Sequence, residues 1–337
     1  MPSFERESNR IVIAGASSLL GAELKSLLEE SKFAGWDLRL VDEGVAAGTL
    51  TEAGGEPAVI QPVEEGSFDR ARFVFFAGSP EFVERNFKSA LAAGAVVIDF
   101  TGKVWTKDES QLPYFPKLDE FWGTPFTPKS SHFWIISAPA VAAASLSLGL
   151  KPLGLKRMGI TFLRPVSEAG RTGIEELESQ TKQLLSFQNA GQTIFDTQVA
   201  FAVSDRFGAG SRENLSAYET RLREEVLECT FTPDGIQPAI RVAHAPVFYG
   251  YTFSANAELD ASATVEQVIS ALTAAGFALA EKGAIVSNLT SAGENAIQLA
   301  PPEADPSQPG SWWFWGAADN IRLPAWNAVK LAEKLVP

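Results

Sequence analysis

The residues with the clearest chemical potential form a short loop near the N-terminus. Gly15-Ala16-Ser17-Ser18-Leu19-Leu20-Gly21 follows the apolar run Arg10 to Ala14 and leads into apolar positions at helical spacing up to Glu30. Small residues between a strand and a helix let backbone N–H groups face an anion. The loop is therefore a candidate phosphate site for a dinucleotide, formed by Gly15, Ser17, Ser18, Leu19, Leu20 and Gly21.

Two features of this region leave the interpretation open. Ser18 stands where the spaced glycine pattern has its middle glycine, so its side chain takes space that a pyrophosphate would approach. Asp42 follows the apolar run Leu38 to Val41, where an acid hydrogen-bonds an adenosine ribose and favours NAD over NADP. The alternatives are a loop that is only a tight strand-to-helix connection, and a solvated strand end at Asp42 and Glu43.

The elements that must position these residues alternate between strand and helix. Further strands are predicted at Arg72 to Phe76 and Ala95 to Asp99, with a helix between them from about Pro80 to Ala93. This alternation predicts an α/β domain with a parallel sheet over residues 1–137, completed by a C-terminal helix at about 320–337.

Residues 138–319 predict a second, α+β domain with a mixed sheet. A helix is expected from Gly173 to Ser186, with a solvent-exposed outer face formed by Glu175, Glu176, Glu178 and Gln180. Trp312 to Trp315 is interpreted as a core strand or dimer surface rather than a ligand cage. Cys229 lies in an alternating, strand-like stretch from Val226 to Phe231 and is expected to be buried there.

Composition excludes several classes of function. The chain has 337 residues, 45% hydrophobic and 20% charged, without an apolar run long enough for a membrane helix or a secretory signal, so we expect a cytoplasmic protein. A net charge of -13 argues against nucleic acid and anionic lipid as partners. With one cysteine, two histidines (His132 and His244) and no evident carboxylate cluster, no metal site is expected.

Several motifs in order along nearly the whole chain resemble the bacterial aspartate-semialdehyde dehydrogenase family. They are Ile11-Val12-Ile13-Ala14-Gly15-Ala16-Ser17, Phe76-Ala77-Gly78-Ser79, Gly94-Ala95-Val96-Val97-Ile98-Asp99, Val166-Ser167-Glu168-Ala169-Gly170-Arg171 leading into Glu176-Leu177, Ala245-Pro246-Val247 before Gly250, and Asp319-Asn320-Ile321-Arg322 with Asn327-Ala328-Val329. The resemblance implies a Rossmann-like dinucleotide-binding domain joined to a mixed-sheet domain that forms a homodimer. It also implies that Ala77, Gly78 and Asn320 belong to the cofactor site.

The nucleophile of that family is replaced in this chain. Family members use the thiolate of an Asn-Pro-Asn-Cys motif to attack an aldehyde, pass a hydride to NADP and release an acyl phosphate. The matching stretch here begins Ser137-Ala138-Pro139-Ala140-Val141. Val141 has no lone pair to donate and cannot form a covalent intermediate.

The other functional positions implied by the resemblance have also changed. Tyr251 stands at the general-base histidine, and a phenol with an ordinary pKa of about 10 is a poor base at neutral pH. His244 replaces the substrate-carboxylate arginine, Trp105 the phosphate arginine and Val45 the arginine for the 2'-phosphate of NADP. Glu219 matches the glutamate that pairs with the substrate amine, or else is a solvent-facing helix charge.

These changes predict a catalytically degenerate relative that binds a dinucleotide or a partner protein. The alternative is an active NAD(P)-dependent oxidoreductase of altered chemistry, in which Tyr251 protonates a carbonyl group during hydride transfer. The surroundings of Val141 and His244 are expected to be more apolar than in the family, which disfavours an anionic amino-acid substrate. Ser137 and Ser167 lie near the family's site but have no evident histidine partner.

Overall fold

The computed structural model describes residues 8–44, 48–53, 56–102, 112–123, 130–231 and 235–336. The chain folds into two compact units. One comprises Met1–Ile136 with Pro324–Pro337, and the other comprises Ser137–Leu323.

The first unit is built on a seven-stranded, all-parallel sheet in the order β5-β2-β1-β6-β7-β9-β8. The strands are β1 (Arg10–Ala14), β2 (Asp37–Asp42), β5 (Gln61–Pro62), β6 (Phe73–Phe76), β7 (Val96–Asp99), β8 (Leu112–Tyr114) and β9 (His132–Ile135). A separate hairpin is formed by β3 (Leu50–Ala53) and β4 (Glu56–Val59). Strands β6, β7 and β9 are buried at every residue, as expected of a parallel sheet covered on both faces.

Helices cover the two faces of this sheet. They are α1 (Leu19–Glu29), α2 (Pro80–Ala92), α3 (Leu118–Trp122) and α8 (Arg322–Lys334). Leucines of α1 and alanines of α8 pack with Ile11 and Ile13 of β1, whereas the phenylalanines of α2 pack with Val12 on the opposite side. The alternation of β1 side chains thus supplies both cores. The parallel sheet and the Rossmann-like arrangement predicted from the sequence are confirmed.

The second unit contains a mixed sheet in the order β11-β10-β12-β16-β14-β13, with β15 also paired to β16. Its strands are β10 (Arg157–Arg164), β11 (Ala239–His244), β12 (Tyr251–Glu258), β13 (Ala278–Leu279), β14 (Gln298–Leu299), β15 (Glu303–Ala304) and β16 (Ser311–Ala318). Its helices are α4 (Ala138–Leu150), α5 (Gly170–Leu185), α6 (Leu215–Thr230) and α7 (Val265–Ala274). Every residue of α4 is buried, so this helix lies in the core of the unit.

The outer face predicted for α5 is partly wrong. Glu175 and Glu178 are exposed, but Glu176 is 7% exposed and Gln180 is fully buried. The Glu176 carboxylate accepts the backbone N–H groups of Thr193 and Ile194, and the Gln180 side chain bonds to Gly191, Thr197, Val199 and Ala200. These two side chains thus supply hydrogen-bond partners to backbone groups of the irregular segment after α5, as a neighbouring strand or helical turn would do elsewhere.

Cys229 is buried, but not in a strand. It lies in α6 with none of its surface exposed, and burial raises the pKa of its thiol well above the ordinary value. The strand-like interpretation of Val226 to Phe231 was therefore wrong, because the buried residues Leu222, Val226 and Cys229 follow the i, i+4, i+7 spacing of one helix face, which a six-residue window does not reveal. Among the helices that the structure describes, none is long and apolar enough to cross a membrane.

Candidate functional site

The N-terminal loop lies between β1 and α1, where the sequence places it. Gly15 has a φ of +91°, and a Cβ atom built there would lie 2.2 Å from the backbone N of Gly78. Only glycine fits, because any side chain would collide with the loop that follows β6. The structure therefore brings Gly15 against Ala77 and Gly78, which the sequence assigned to the same cofactor site.

Ser18 acts as the N-cap of α1. Its Oγ accepts the backbone N–H of Gly21 at 2.8 Å, which satisfies one of the free donors of the first turn. Gly21 is itself required, since a Cβ there would lie 2.5 Å from the carbonyl oxygen of Gly15. The Ser18 hydroxyl is thus turned onto its own helix, and Leu19 and Leu20 form the first turn beside it.

Asp42 is joined directly to the loop. Its Oδ2 accepts the backbone N–H of Ser17 at 2.8 Å and the Ser17 hydroxyl at 2.6 Å, and its Oδ1 accepts the N–H of Glu43 at 2.8 Å. Asp42 is only 8% exposed, so the alternative of a solvated strand end is wrong for this residue. Glu43 is solvated as that alternative expects, since it is exposed and forms an ion pair with Arg85. Val45 and Trp105 lie outside the described residues.

Two hydrogen-bonded tyrosines, Tyr251 fully buried and Tyr218 half-buried, form the centre of a polar cluster in the second unit. The Tyr251 hydroxyl at the start of β12 donates to the Tyr218 hydroxyl of α6 at 2.8 Å. The guanidinium carbon of Arg164 lies 4.9 Å from the centre of the Tyr218 ring. Burial and the nearby charge of Glu168 raise the pKa of both phenols above the ordinary value, so both remain protonated at neutral pH.

Arg164 and Glu168 give this region a charged character. Arg164 is 2% exposed and bonds Glu213 at 2.6 Å, and the acidic groups around it outweigh burial and raise its pKa. Burial raises the pKa of Glu168, opposed by Arg164 and by the hydrogen bond from Asn320. Arg164 and Glu168 thus make the surroundings of Tyr251 polar, whereas the expectation of a more apolar environment concerned Val141 and His244 and stays a prediction.

Val141 lies in the first turn of α4, where it is 6% exposed. The N-cap of this helix, Ser137, does not cap it. Both the backbone N–H of Ser137, at 2.9 Å, and its hydroxyl bond to Glu225 of α6. The second oxygen of Glu225 accepts from Arg221 at 3.0 Å. An internal carboxylate thus lies at the N-terminus of α4, where a helix attracts anions.

The remaining predicted residues have internal partners. His244 is 1% exposed, its Nε2 lies 3.1 Å from the Val199 carbonyl, and burial lowers its pKa. Glu219 is 7% exposed, accepts the N–H of Val242 at 3.0 Å and pairs with Arg223, so the solvent-facing alternative is wrong.

Asn320 is also engaged by its own unit. Its Oδ1 accepts the N–H of Gly250 at 2.9 Å, and its Nδ2 donates to Glu168 at 2.8 Å. Its side chain also contacts the Ser167 hydroxyl, so Ser167 has an amide rather than a base as its neighbour. A role of Asn320 in cofactor binding remains a prediction.

Sequence reasoning missed the side chains of α6 that surround this centre. Tyr218, Arg221 and Glu225 are spaced i, i+3 and i+7, which places them on one helix face. That spacing was the available signal. Glu219 is the residue of α6 that matches a family position, whereas the residue of α6 that contacts Tyr251 is Tyr218.

Comparison with known families covers nearly the whole chain. A family model described as the NAD binding domain of semialdehyde dehydrogenase matches residues 10–145. A second, described as the dimerisation domain of semialdehyde dehydrogenase, matches residues 148–323.

Individual relatives agree with this assignment. A USG-1 protein homolog of Azotobacter vinelandii is 28% identical, with 97% of each chain covered. An aspartate-semialdehyde dehydrogenase of Rickettsia bellii is 25% identical, again with 97% of each chain covered. The solved structure of a probable aspartate-semialdehyde dehydrogenase from Pseudomonas aeruginosa superposes with a TM-score of 0.85 at 25% identity, covering 98% of this chain and 99% of the other.

Proposed function

Since the chain belongs to the semialdehyde dehydrogenase family, we propose that it is a catalytically degenerate member that keeps a dinucleotide site and has lost the thiol chemistry. The observation that carries this proposal is at the N-terminus of α4. Val141, which the sequence resemblance assigns to the nucleophile position, is buried, and the Glu225 carboxylate accepts the Ser137 N–H at the start of the same helix. A helix N-terminus that already holds an internal anion has less to offer a negatively charged reaction intermediate.

Tyr251, which the sequence resemblance assigns to the general-base position, is also unsuited to the family reaction. Activation of a thiol needs a group that accepts a proton near neutral pH. Tyr251 is fully buried, its hydroxyl donates to Tyr218, and its raised pKa keeps the phenolate out of reach at that pH. Nucleophile and base would therefore both have to be rebuilt.

Restoring the nucleophile alone tests this proposal. We expect Val141→Cys to show no measurable reduction of NAD or NADP with aspartate semialdehyde and phosphate, because Tyr251 is a poor base whose hydroxyl donates to Tyr218, and Glu225 still bonds Ser137 at the N-terminus of α4. The assay is absorbance at the reduced-nicotinamide band, with the Rickettsia bellii relative named above as the positive control. Appreciable turnover by Val141→Cys, or by the unmodified chain, would refute the proposal.

The dinucleotide site is proposed to favour NAD. Support comes from the tight Gly15–Gly78 contact, the half-buried Leu19 and Leu20 in the first turn after Ser18, and the Asp42 carboxylate at the end of β2, where a ribose hydroxyl can donate. Calorimetric titration of the purified chain with NAD and then NADP tests this. We expect micromolar binding of NAD and weaker binding of NADP; no heat with either would argue for a protein that retains the fold and binds only a partner.

A second candidate function is a reductase that uses Tyr251. The Tyr251–Tyr218 hydrogen bond and the adjacent Arg164 are the features that favour it, because a phenol beside a cation can donate a proton to a carbonyl oxygen. An assay of NADH or NADPH oxidation by small aldehydes and ketones distinguishes a reductase from a catalytically degenerate protein. Activity lost in Tyr251→Phe and kept in Tyr249→Phe would support the reductase.

A further inference from the structure

We propose that Ser17 is a positioning residue that holds the Asp42 carboxylate in one orientation and thereby makes the site select NAD against NADP. The inference rests on the proposed dinucleotide binding and adds to it a specific device for cofactor choice. Its basis is the short contact network between the loop and the end of β2.

The contacts converge on one carboxylate oxygen. Oδ2 of Asp42 accepts both the backbone N–H of Ser17, at 2.8 Å, and the Ser17 hydroxyl, at 2.6 Å. Two donors from one residue hold this oxygen in place, and the bond from the Glu43 N–H to Oδ1 restricts rotation of the carboxylate. Ser17 is half-buried, so these bonds are partly shielded from competing water.

The backbone at this point is also immobilised. The N–H groups of Gly15 and Ala16 donate to the Val41 carbonyl at 2.9 and 3.2 Å, and the Val63 N–H donates to the Asp42 carbonyl at 3.2 Å. Asp42 is therefore held by the loop on one side and by the β5 side of the sheet on the other. A carboxylate anchored in this way cannot rotate away from an approaching anion without breaking the bonds to Ser17.

The second carboxylate oxygen of Asp42, Oδ1, can still accept a hydrogen bond from a ligand. Oδ1 accepts the Glu43 N–H at 2.8 Å, and an ionised carboxylate accepts about four hydrogen bonds in total. A ribose 2'-hydroxyl can donate to the remaining lone pair. A 2'-phosphate cannot donate when ionised and is repelled by the fixed negative charge.

The ion pair beside Asp42 does not relieve that repulsion. Arg85 of α2 forms an ion pair with Glu43, the residue after Asp42. Both partners are about half exposed, with relative side-chain exposures of 56% and 49%, so the contact is weak in energy. It nevertheless places a second carboxylate beside Asp42, which adds to the barrier against a phosphate.

The test measures Kd for NAD and for NADP by calorimetry in Ser17→Ala, Ser17→Thr and Ser26→Ala. We expect the unmodified chain to bind NAD at least about tenfold more tightly than NADP, a difference that one repelled charged contact supplies. In Ser17→Ala the ratio should fall to about threefold or less, because the carboxylate loses the hydroxyl bond, keeps only backbone N–H donors, and can turn from the position that faces the ribose and repels the phosphate. Ser17→Thr keeps the hydroxyl and should keep the ratio of the unmodified chain. Ser26→Ala changes a serine of α1 that does not bond Asp42, and it should leave the ratio unchanged.

The outcomes separate the inference from the function on which it rests. No binding of either dinucleotide by the unmodified chain overturns the proposed dinucleotide site and this inference with it. Selective NAD binding with the same ratio in Ser17→Ala overturns the inference alone. A lower ratio in Ser17→Ala that Ser17→Thr also shows would overturn it too, since the hydroxyl would then not be the cause. Thermal unfolding of each variant verifies that the fold is retained.

Discussion

His132 and His244 are the two histidines of the chain, and the structure buries both. His132 lies on β9 with its ring centroid 4.4 Å from that of Phe87. Neither ring nitrogen of His132 has a hydrogen-bond partner among the described residues. Burial lowers its pKa to about 4, so the imidazole is neutral in the folded protein.

At the scale of this residue, the pKa predicts acid sensitivity. The unfolded chain binds a proton to His132 near pH 6.5, whereas the folded chain binds it near pH 4. The free energy of unfolding should therefore fall as the pH drops from about 6.5 to about 4, by up to about 3 kcal/mol. His244, whose pKa is lowered too, contributes in the same direction.

Urea unfolding between pH 4 and pH 7 measures this effect. In His132→Leu the decline should be shallower, and stability at pH 7 should be unchanged or higher, because two buried atoms without partners are replaced by an apolar group. A variant that loses stability with pH as steeply as the unmodified chain would show that His132 is not the group responsible.

At the scale of elements, α5 organises a long irregular segment through two polar side chains. Gln180 donates to the carbonyls of Gly191 and Thr197 and accepts the N–H groups of Val199 and Ala200. The segment has few backbone partners of its own, so buried amide and carbonyl groups depend on this side chain. It also includes Phe201, whose φ is +60° and which is 64% exposed.

Gln180→Ala should therefore destabilise the second unit by about 2–4 kcal/mol, because buried donors and acceptors lose their partners together. Glu178→Ala, on the exposed side of the same helix, should change stability by less than about 0.5 kcal/mol. Urea denaturation gives the energies, and hydrogen exchange at the amides of Val199 and Ala200 locates the effect. Equal stability of the two variants would contradict the assigned role of Gln180.

At the scale of the whole molecule, the mixed sheet presents an open face. Helices α4, α6 and α7 contact strands on one side. On the other, one row of neighbouring residues runs across four strands, from Arg241 through Thr161 and Ser254 to Trp315. Trp313 and Trp315 are 46% and 40% exposed there. We propose that a second copy of the chain covers this face, because the family model for this region is a dimerisation domain.

A charged residue in the middle of that face should separate the dimer. Thr161→Arg places a second guanidinium beside Arg241 and should give a monomer at micromolar concentration by light scattering, since like charges and desolvation oppose a buried contact. Ala22→Glu, at an exposed position of α1, should leave the dimer intact. A monomeric unmodified chain, or a dimeric Thr161→Arg, would refute the proposed interface.

Much of the fold follows from local pattern. Apolar runs flanked by glycine and polar residues predicted β1, β6, β7, α1 and α2 to within a residue or two, because periodicity and turn residues act over a few positions. Local pattern failed where the partner was distant. The polar side chains of Glu176 and Gln180 predict a solvent-exposed helix face, but in the structure the segment after α5 packs against them. The short stretch around Cys229 contains too few residues to distinguish a helix from a strand.

The sequence by itself determined the two-domain class, the tight strand-to-helix loop with its required Gly15, and a side chain without a lone pair at Val141, since each depends on residue type or short-range spacing. The tertiary structure alone decided which side chains surround Tyr251 and what fills the N-terminus of α4. Ser137 and Glu225 are 88 residues apart, and which face of α6 turns toward α4 depends on packing across that distance. The same reason explains why Ser17, not identified as a partner of Asp42 from the sequence, emerges only when β2 is placed beside β1.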